Sequence, residues 1–521
     1  MNKKNIDLNE QFKKALEVME GTDHHAFITG RAGTGKSTLL DYFRSTTKKE
    51  LVVLAPTGVA ALNVKGQTIH SFFRFKPNVA LQSVKKVKQG GDLYKELDAI
   101  IIDEVSMVRA DLMDCIDKFL RLNGRDKRSP FGGIQMIFIG DLYQLPPVVS
   151  GKEKEAFKDH YASPFFFDAE VMQGLDMEFI ELEKIYRQKD ESFIALLNAI
   201  RNNSVTGEEL QLLNSRYRPD VDPDTMTVPD NFYVWLTSTN EASGMINMQH
   251  LAQLQGDTLS YDGEIQGDFT QDALPTQINL QLKIGAQVML LNNDPYGRWV
   301  NGSIGRITAI EQESGDRDIV IVELTNGDIA DVTPYKWELF TYQYDKQKRQ
   351  IESEVNGSFT QYPIKLAWAM TIHKSQGKTF EKVVIDIGKG TFATGQMYVA
   401  LSRCTCLEGI ILKKPVEKRH IFIDWRVVRF VTEYQYKLSD RLLPADDKIR
   451  LIRNAIGEER ALKIVYLKNN DTKSVRLITP LAVGEMEYLG KTYTGVQAFC
   501  HTRNGTRTFR IDRILEISET D

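Results

Sequence analysis

The sequence predicts an α/β fold built mainly on parallel sheets, and three stretches predict it. The first is Gly30-Arg31-Ala32-Gly33-Thr34-Gly35-Lys36-Ser37-Thr38, set between the apolar run Ala26-Phe27-Ile28-Thr29 and Leu39-Leu40-Asp41-Tyr42-Phe43. The second is Leu51-Val52-Val53-Leu54-Ala55, a continuous apolar run of the kind buried on both faces of a parallel sheet. The third is Ala99-Ile100-Ile101-Ile102, followed at once by Asp103-Glu104.

The first stretch has the strand, glycine-rich turn and helix start of a phosphate-binding loop. Gly30, Gly33 and Gly35 let the backbone curl until its N–H groups converge on phosphate oxygens. The helix that follows points the positive end of its dipole at the same anion. Thr34 and Thr38 belong to the same cradle, Lys36 is placed to reach the β- and γ-phosphates, and the Ser37 hydroxyl to hold Mg²⁺. Asp103, at the tip of the third strand, is the expected partner for the metal, and Glu104 beside it the group that orients or deprotonates water. These residues describe a nucleotide triphosphatase.

Composition bounds the rest. A chain of 521 residues is long enough for three or four domains, and 42% hydrophobic with 26% charged residues is ordinary for a soluble globular protein. No apolar run approaches the ~20 residues that span a bilayer. The stretch Met1 to Glu10 has neither a secretory apolar core nor the character of a transit peptide, which points to a cytoplasmic, bacterial or phage-like setting. Cys115, Cys404, Cys406 and Cys500 make no metal-ligand spacing and read as reduced thiols. A net charge of -4 provides no global basic field, so any nucleic-acid partner must be argued from local sites.

In chain order, Phe12, Leu16 and Met19 recur at helical spacing, and Gln11 just before them carries an amide able to pair with the edges of adenine. Pro56-Thr57-Gly58 follows the second apolar run, and Thr68-Ile69-His70-Ser71-Phe72-Phe73 comes next; loops at the carboxyl ends of parallel strands are where such sheets bind ligands. Their hydroxyls and aromatics suit phosphate contact and base stacking, although Phe72 and Phe73 taken alone read as core. From Asp111, the residues Leu112, Met113, Ile116, Phe119 and Leu120 keep helical spacing, so the carboxylates between them are expected to face water. A strand over Ile134 to Ile139 leads to Gln144, placed to sense the γ-phosphate. A second half begins near Leu182, with strands at 232–237 and 287–293. Between 293 and 362 the texture changes to short strands and turns, as in Gly302 to Ile310 and Ile319 to Leu324.

Further motifs complete a set: APTGVAALN, TIHSFF, IIDEVSM, PFGGIQMIFIGDLYQLPPV, IYRQ at Ile185 to Gln188, TIHKSQG at Thr371 to Gly377 and YVALSR at Tyr398 to Arg403. With GRAGTGKST they resemble the superfamily 1B DNA helicases, and most closely the petite-integration-frequency (PIF) family, relatives of RecD and Dda. The resemblance runs from about Leu8 to Asp424, with the motifs in the family's order. It implies two RecA-like domains that sandwich ATP with Mg²⁺ and move 5′-to-3′ on single-stranded DNA as a monomeric motor, opening duplex junctions. Activity on G-quadruplexes or RNA-DNA hybrids is a further family expectation. By the same resemblance Gln11 contacts adenine, Ser37 and Asp103 hold the metal, and Glu104 activates water. Arg187 and Arg403 close on the γ-phosphate from outside the first domain. Pro56, Thr57, His70, Ser71, Phe72, Thr371, His373, Lys374 and Ser375 become candidate contacts to the strand, with His373 equally readable as a buried structural histidine.

The last stretch, from about Leu462, is similar to a WYL domain, a small Sm- or SH3-like barrel. Its ending Arg507-Thr508-Phe509-Arg510-Ile511-Asp512-Arg513-Ile514 carries the likeness, whereas Thr494-Gly495-Val496 stands where the name-giving residues would align. Arg510 and Arg513 are candidate anion contacts. The division implied is a first RecA-like domain at 1–180 with a small insert at about 66–95, and a second at 181–294 and 363–424. An SH3-like insert at 295–362, a helical connector at 425–460 and the WYL-like domain at 461–521 complete it. The competing reading is a nucleic-acid-binding ATPase switch whose C-terminal domain senses a ligand.

Overall fold

The apolar runs of the first third form one parallel sheet. Its strands are β1 (His25–Gly30), β2 (Leu51–Ala55), β3 (Gln67–Thr68), β4 (Ala99–Ile102), β5 (Gln135–Ile139) and β6 (Met177–Leu182). They lie in the order β3-β2-β4-β5-β1-β6, every pair parallel. This computed structural model describes residues 8–519 except 77–78, 150–156, 158–159, 221–231, 270, 313–317, 346, 349, 389, 392, 469 and 489. Ile100, Ile101 and Ile102 are wholly buried, as strands covered on both faces must be. Helix α1 (Glu10–Gly21) is capped by the Asn9 side chain, and helix α2 (Lys36–Thr46) follows the glycine loop directly. Phe12 and Met19 of α1 and Leu39, Leu40 and Phe43 of α2 pack into one core with Ile28, Val53, Ile101 and Ile137 of the sheet. Helix α3 (Gly58–Asn63) begins on Thr57, whose side chain accepts from the Ala60 N–H.

The helix expected from Asp111 runs Ala110–Asn123 and buries the residues its spacing selects. One expectation fails there: Asp114 does not face water. It is buried and accepts the backbone N–H groups of Glu170 and Val171, each at 3.0 Å, so a carboxylate satisfies two amides of a neighbouring turn.

A second parallel sheet holds Ala369–Thr371, Val234–Thr237, Val383–Asp386 and Ile410–Leu412, in that order. The strand Gln287–Leu290 is not part of it. Together with Ile364–Leu366 it joins Ile304–Gln312, Asp318–Leu324 and Ile329–Val332 in a five-stranded antiparallel sheet, so that sheet extends beyond 295–362 on both sides. A long hairpin, Tyr335–Asp345 with Gln350–Gln361, pairs separately with Glu264–Gly267 and reaches back to the first sheet. There the Tyr342 hydroxyl accepts the Val53 N–H at 3.4 Å, and Glu50 accepts the Ile351 N–H at 2.8 Å.

The chain forms two compact units, Met1–Ile200 with Val205–Phe422, and Arg201–Ser204 with Ile423–Asp521. The second contains the helices Trp425–Leu442 and Ala445–Gly457 and a five-stranded antiparallel sheet. Ile452 and Ala455 of the shorter helix share a core with Leu462, Ile464, Ile478, Val496 and Phe509 of the strands. Among the described residues no helix is long and apolar enough to cross a membrane.

Candidate nucleotide site and nucleic-acid interface

The glycine loop takes the conformation its sequence permits. Gly33 and Gly35 have φ of +83° and +88°, and Gly35 caps α2 in the left-handed region. A Cβ on Gly33 would lie 2.5 Å from the Cβ of Arg187, so the absence of a side chain is what admits that arginine. Thr34 braces the loop by donating to the Arg31 carbonyl at 2.9 Å. Ser37 and Thr38 stand exposed in the first turn of α2. The Lys36 ammonium donates to the carbonyls of Gly30 and Arg31 at 2.7 and 3.2 Å. Burial lowers its pKa while Asp141, Glu104 and Asp103 oppose that shift. Gln11 lies in the first turn of α1, next to Phe12, whose ring would touch a Cβ on Gly35 at 3.2 Å.

At the end of β4, Asp103 and Glu104 both have their pKa raised, chiefly by burial. Each is held in part by Lys36; Asp103 is pushed further by Glu104, while Arg403 draws Glu104 back. Glu104 has φ +50°, a left-handed conformation that turns the chain sharply after the strand. Gln144 is buried and donates to Asp141 at 3.1 Å. A hydroxyl at Ser37 and a carboxylate at Asp103 are hard oxygen donors, the set Mg²⁺ prefers when phosphate oxygens and waters supply the remainder. Among the described residues no group of three His, Cys, Asp or Glu side chains forms a closed metal site.

Arg187 meets the loop at Gly33, and Arg403 acts electrostatically on Glu104 and Asp141. Arg187 donates to the carbonyls of Ser402 at 3.2 Å and Gly377 at 3.4 Å. Arg403 is buried, donates to the Val399 carbonyl at 2.9 Å and the Ser402 hydroxyl at 2.8 Å, and is held down to about 9 by burial and by Arg187. Two further residues belong to this cleft. The Tyr398 hydroxyl accepts the Ala32 N–H at 3.0 Å, and the Gln188 amide donates to Ser402 and Cys404 carbonyls at 3.2 and 3.1 Å.

The candidate strand contacts divide by exposure. Thr57, Ser71 and Lys374 are exposed, and Pro56, His70 and His373 half-buried. Burial lowers the pKa of His373. Three expected contacts are buried in this structure. Phe72 lies in the core, edge-on to Phe73, Tyr94 and Tyr342, with no free face for a base. Ser375 is buried and its hydroxyl donates to the Ile372 carbonyl at 2.7 Å. Thr371 is buried too, and its hydroxyl accepts the Lys374 N–H at 3.3 Å.

Residues 5–210 match the model of the PIF1-like helicase family, and residues 447–519 that of the WYL domain. The chain is 31% identical over 476 residues to an ATP-dependent DNA helicase PIF1 of Emericella nidulans, spanning 80% of this chain but only 62% of that protein. A crystal structure of Pif1 from a Bacteroides species in complex with ADP-AlF4 is 36% identical, with a TM-score of 0.75, over 83% of this chain and 98% of its own. The chain belongs to the PIF1-like helicase family. Bacteroides Pif1 bound to single-stranded DNA is likewise 36% identical, with a TM-score of 0.58, over 82% of this chain and 96% of its own.

The loop, the acid pair and both arginines all lie in the motifs that carry the resemblance; the fold sets Arg187 against Gly33 and brings Arg403 close enough to act on Glu104. Tyr398 lies inside the quoted YVALSR motif, so its presence was legible while its bond to Ala32, 366 positions away, was not. In the WYL domain, Arg510 is already paired with Asp512 at 2.6 Å and stacks 5.2 Å from the centre of the Tyr493 ring, whereas Arg507 is exposed.

Proposed function

We propose that this chain is an ATP-driven DNA motor that tracks 5′-to-3′ on single-stranded DNA and separates duplex junctions. The observation that supports the reading is Arg187 packed against Gly33 of the loop that holds Lys36, with Arg403 acting on Glu104. A switch that only reports nucleotide binding has little use for a base and two arginines at the γ-phosphate position. A motor needs all three to turn over rapidly. ATP would lie on the N–H groups of the loop, with Gln11 against adenine and Gln144 beside the γ-phosphate. Ser37 and Asp103 would hold Mg²⁺, which when bound neutralises charge on the phosphate oxygens. Glu104 would take the proton from water, and the arginines would stabilise charge developing in the transition state.

Thr57, Ser71 and Lys374 would grip backbone phosphates from the two halves, without reading sequence. The β-rich inserted segment, read as SH3-like, would help enclose the strand. The C-terminal sheet, read as an Sm- or SH3-like barrel, would take a further anionic ligand through Arg507 and Arg513. Resolution of G-quadruplexes and RNA-DNA hybrids extends the same activity to other structures on a track strand.

The test is strand displacement with ATP and Mg²⁺ on two partial duplexes, one with a 5′ tail and one with a 3′ tail. Unwinding of the 5′-tailed duplex alone, lost in Lys36→Ala, is expected. Unwinding from the 3′ tail would overturn the polarity. No displacement despite DNA-stimulated hydrolysis would favour the switch.

A further inference from the structure

Three consecutive residues, Tyr186, Arg187 and Gln188, run from the phosphate loop to the backbone around Arg403. The Tyr186 N–H donates to the Gly33 carbonyl at 2.9 Å, which ties the segment to the loop. Arg187 packs against the same glycine and donates to the Ser402 carbonyl at 3.2 Å. Gln188 is 3% exposed, and its amide donates to the carbonyls of Ser402 at 3.2 Å and Cys404 at 3.1 Å. Those two carbonyls flank Arg403. A glutamine amide has two N–H donors, and both are committed here to the backbone from which Arg403 projects.

Other bonds hold Arg403 within its own half. The Phe380 N–H donates to the Arg403 carbonyl at 2.9 Å, and the guanidinium donates to the Val399 carbonyl at 2.9 Å and the Ser402 hydroxyl at 2.8 Å. These bonds orient the arginine but leave its distance from the phosphate loop open. Gln188 closes that distance, because the two residues before it are anchored on Gly33. Its replacement would leave two carbonyls without their donor, and few side chains could substitute. Methionine has a similar shape and no donor, whereas a glutamate carboxylate turns both donors into acceptors that face carbonyl oxygens.

We propose that Gln188 is a positioning residue for ATP hydrolysis, which sets Arg403 at the distance from the phosphate loop that lets the guanidinium meet the γ-phosphate in the transition state. The inference rests on the reading of Arg403 as a charge stabiliser in an ATP-driven motor. Such an arginine acts on charge that develops during the reaction, so its displacement lowers turnover and spares the binding of ground-state nucleotide. A misplacement of about 1 Å can cost about 10²-fold in rate, less than the roughly thousandfold loss of the arginine itself.

The experiment compares Gln188→Met, Gln188→Glu and Arg403→Ala with the wild type, each as the full chain with Mg²⁺ and an oligothymidylate. Two things are measured: kcat and KM for ATP, and the affinities for ADP and for ADP with aluminium fluoride, a mimic of the phosphoryl group in transfer. Gln188→Met is expected to lower kcat by about 10- to 10²-fold and to weaken ADP–aluminium fluoride by a like factor, with KM and ADP affinity held within about twofold. In the Arg403→Ala background the same replacement should lower kcat no further, as befits a residue that acts through the arginine. Retained ADP affinity reports that the nucleotide site folds, and should Gln188→Met fail that check, Gln188→Glu carries the measurement. Loss of ADP affinity in both variants, or a fully additive loss of kcat in the double variant, makes Gln188 merely structural and overturns the proposal. Wild-type turnover in both Gln188 variants, with Arg403→Ala impaired, overturns it while leaving the role of Arg403 standing. Wild-type turnover in Arg403→Ala overturns the reading beneath it.

Discussion

Glu104 has a raised pKa because burial outweighs the help of Lys36 and Arg403, and a base is useful only when it is deprotonated. Raising a base's pKa moves the loss of activity upward in pH: turnover falls as pH drops through the raised value. The acid limb of kcat for DNA-stimulated hydrolysis is therefore expected well above the ordinary glutamate value of about 4.3. A limb near that ordinary value would mean that nucleotide binding relieves the burial. Glu104→Gln keeps the shape and removes the base, so phosphate release should fall by about 10²- to 10⁴-fold, while a fluorescent ATP analogue still binds. Tyr398→Phe isolates a different bond. It strips the acceptor from the Ala32 N–H and leaves a buried donor unpaired, a loss of about 1–3 kcal/mol, read as a lowered thermal midpoint of the nucleotide-free protein. An unchanged midpoint would show that the loop amide finds another acceptor. Local spacing spells out Lys36 or Glu104 because a phosphate loop and a strand tip are short-range devices. It is silent on which hydroxyl will face Ala32, because only the folded chain brings Tyr398 there.

Between elements, the two halves approach closely at the short helix Gln396–Leu401. Its cap, Gly395, has φ +72°, and a Cβ there would stand 2.3 Å from the Tyr143 carbonyl and 2.5 Å from that of Gln144. Backbone cannot retreat as a flexible side chain can. Gly395→Ala should thus push the helix bearing Tyr398, and Arg403 just beyond it, away from the phosphate loop. DNA-stimulated turnover is expected to fall more than tenfold, since removing one arginine of this kind typically costs about a thousandfold or more. Binding of ADP, which meets the loop of the first half, should change little. Equal losses in both would indicate misfolding rather than separation. Four strands of the first sheet were legible because runs such as Ile100 to Ile102 declare burial on both faces, whereas the two-residue strand Gln67–Thr68 and the alternating Met177–Leu182 at the sheet's edges carry no such run. Gln287–Leu290 has the same apolar texture yet pairs antiparallel in another sheet, and no local pattern distinguishes the two outcomes. The burial of Phe72 has a similar cause: Tyr342, from a hairpin 270 positions later, closes over it.

On the scale of the whole chain, the second unit is assembled from distant segments, since Arg201–Ser204 belongs to it along with Ile423–Asp521. Arg201 and Asp471 lie 3.6 Å apart with side chains only 2% and 3% exposed, and Gln435 donates to the same carboxylate at 2.9 Å. Asn202 adds a bond to the Asp471 carbonyl at 3.2 Å. A buried ion pair adds little over an apolar pair of similar volume, but stranding one charge costs about 3–5 kcal/mol. Asp471→Leu alone should therefore lower the unfolding transition of this unit in calorimetry by far more than Arg201→Met with Asp471→Leu together. If the double replacement were as damaging as the single one, the charges would be stabilising in themselves and the desolvation argument would fail. The same logic governs any attempt to assign the WYL domain a role by deletion. A chain ending at Phe422 keeps Arg201 and loses its carboxylate. A fall in activity on that deletion reports on the domain only if Arg201→Met is made with it and the fall persists.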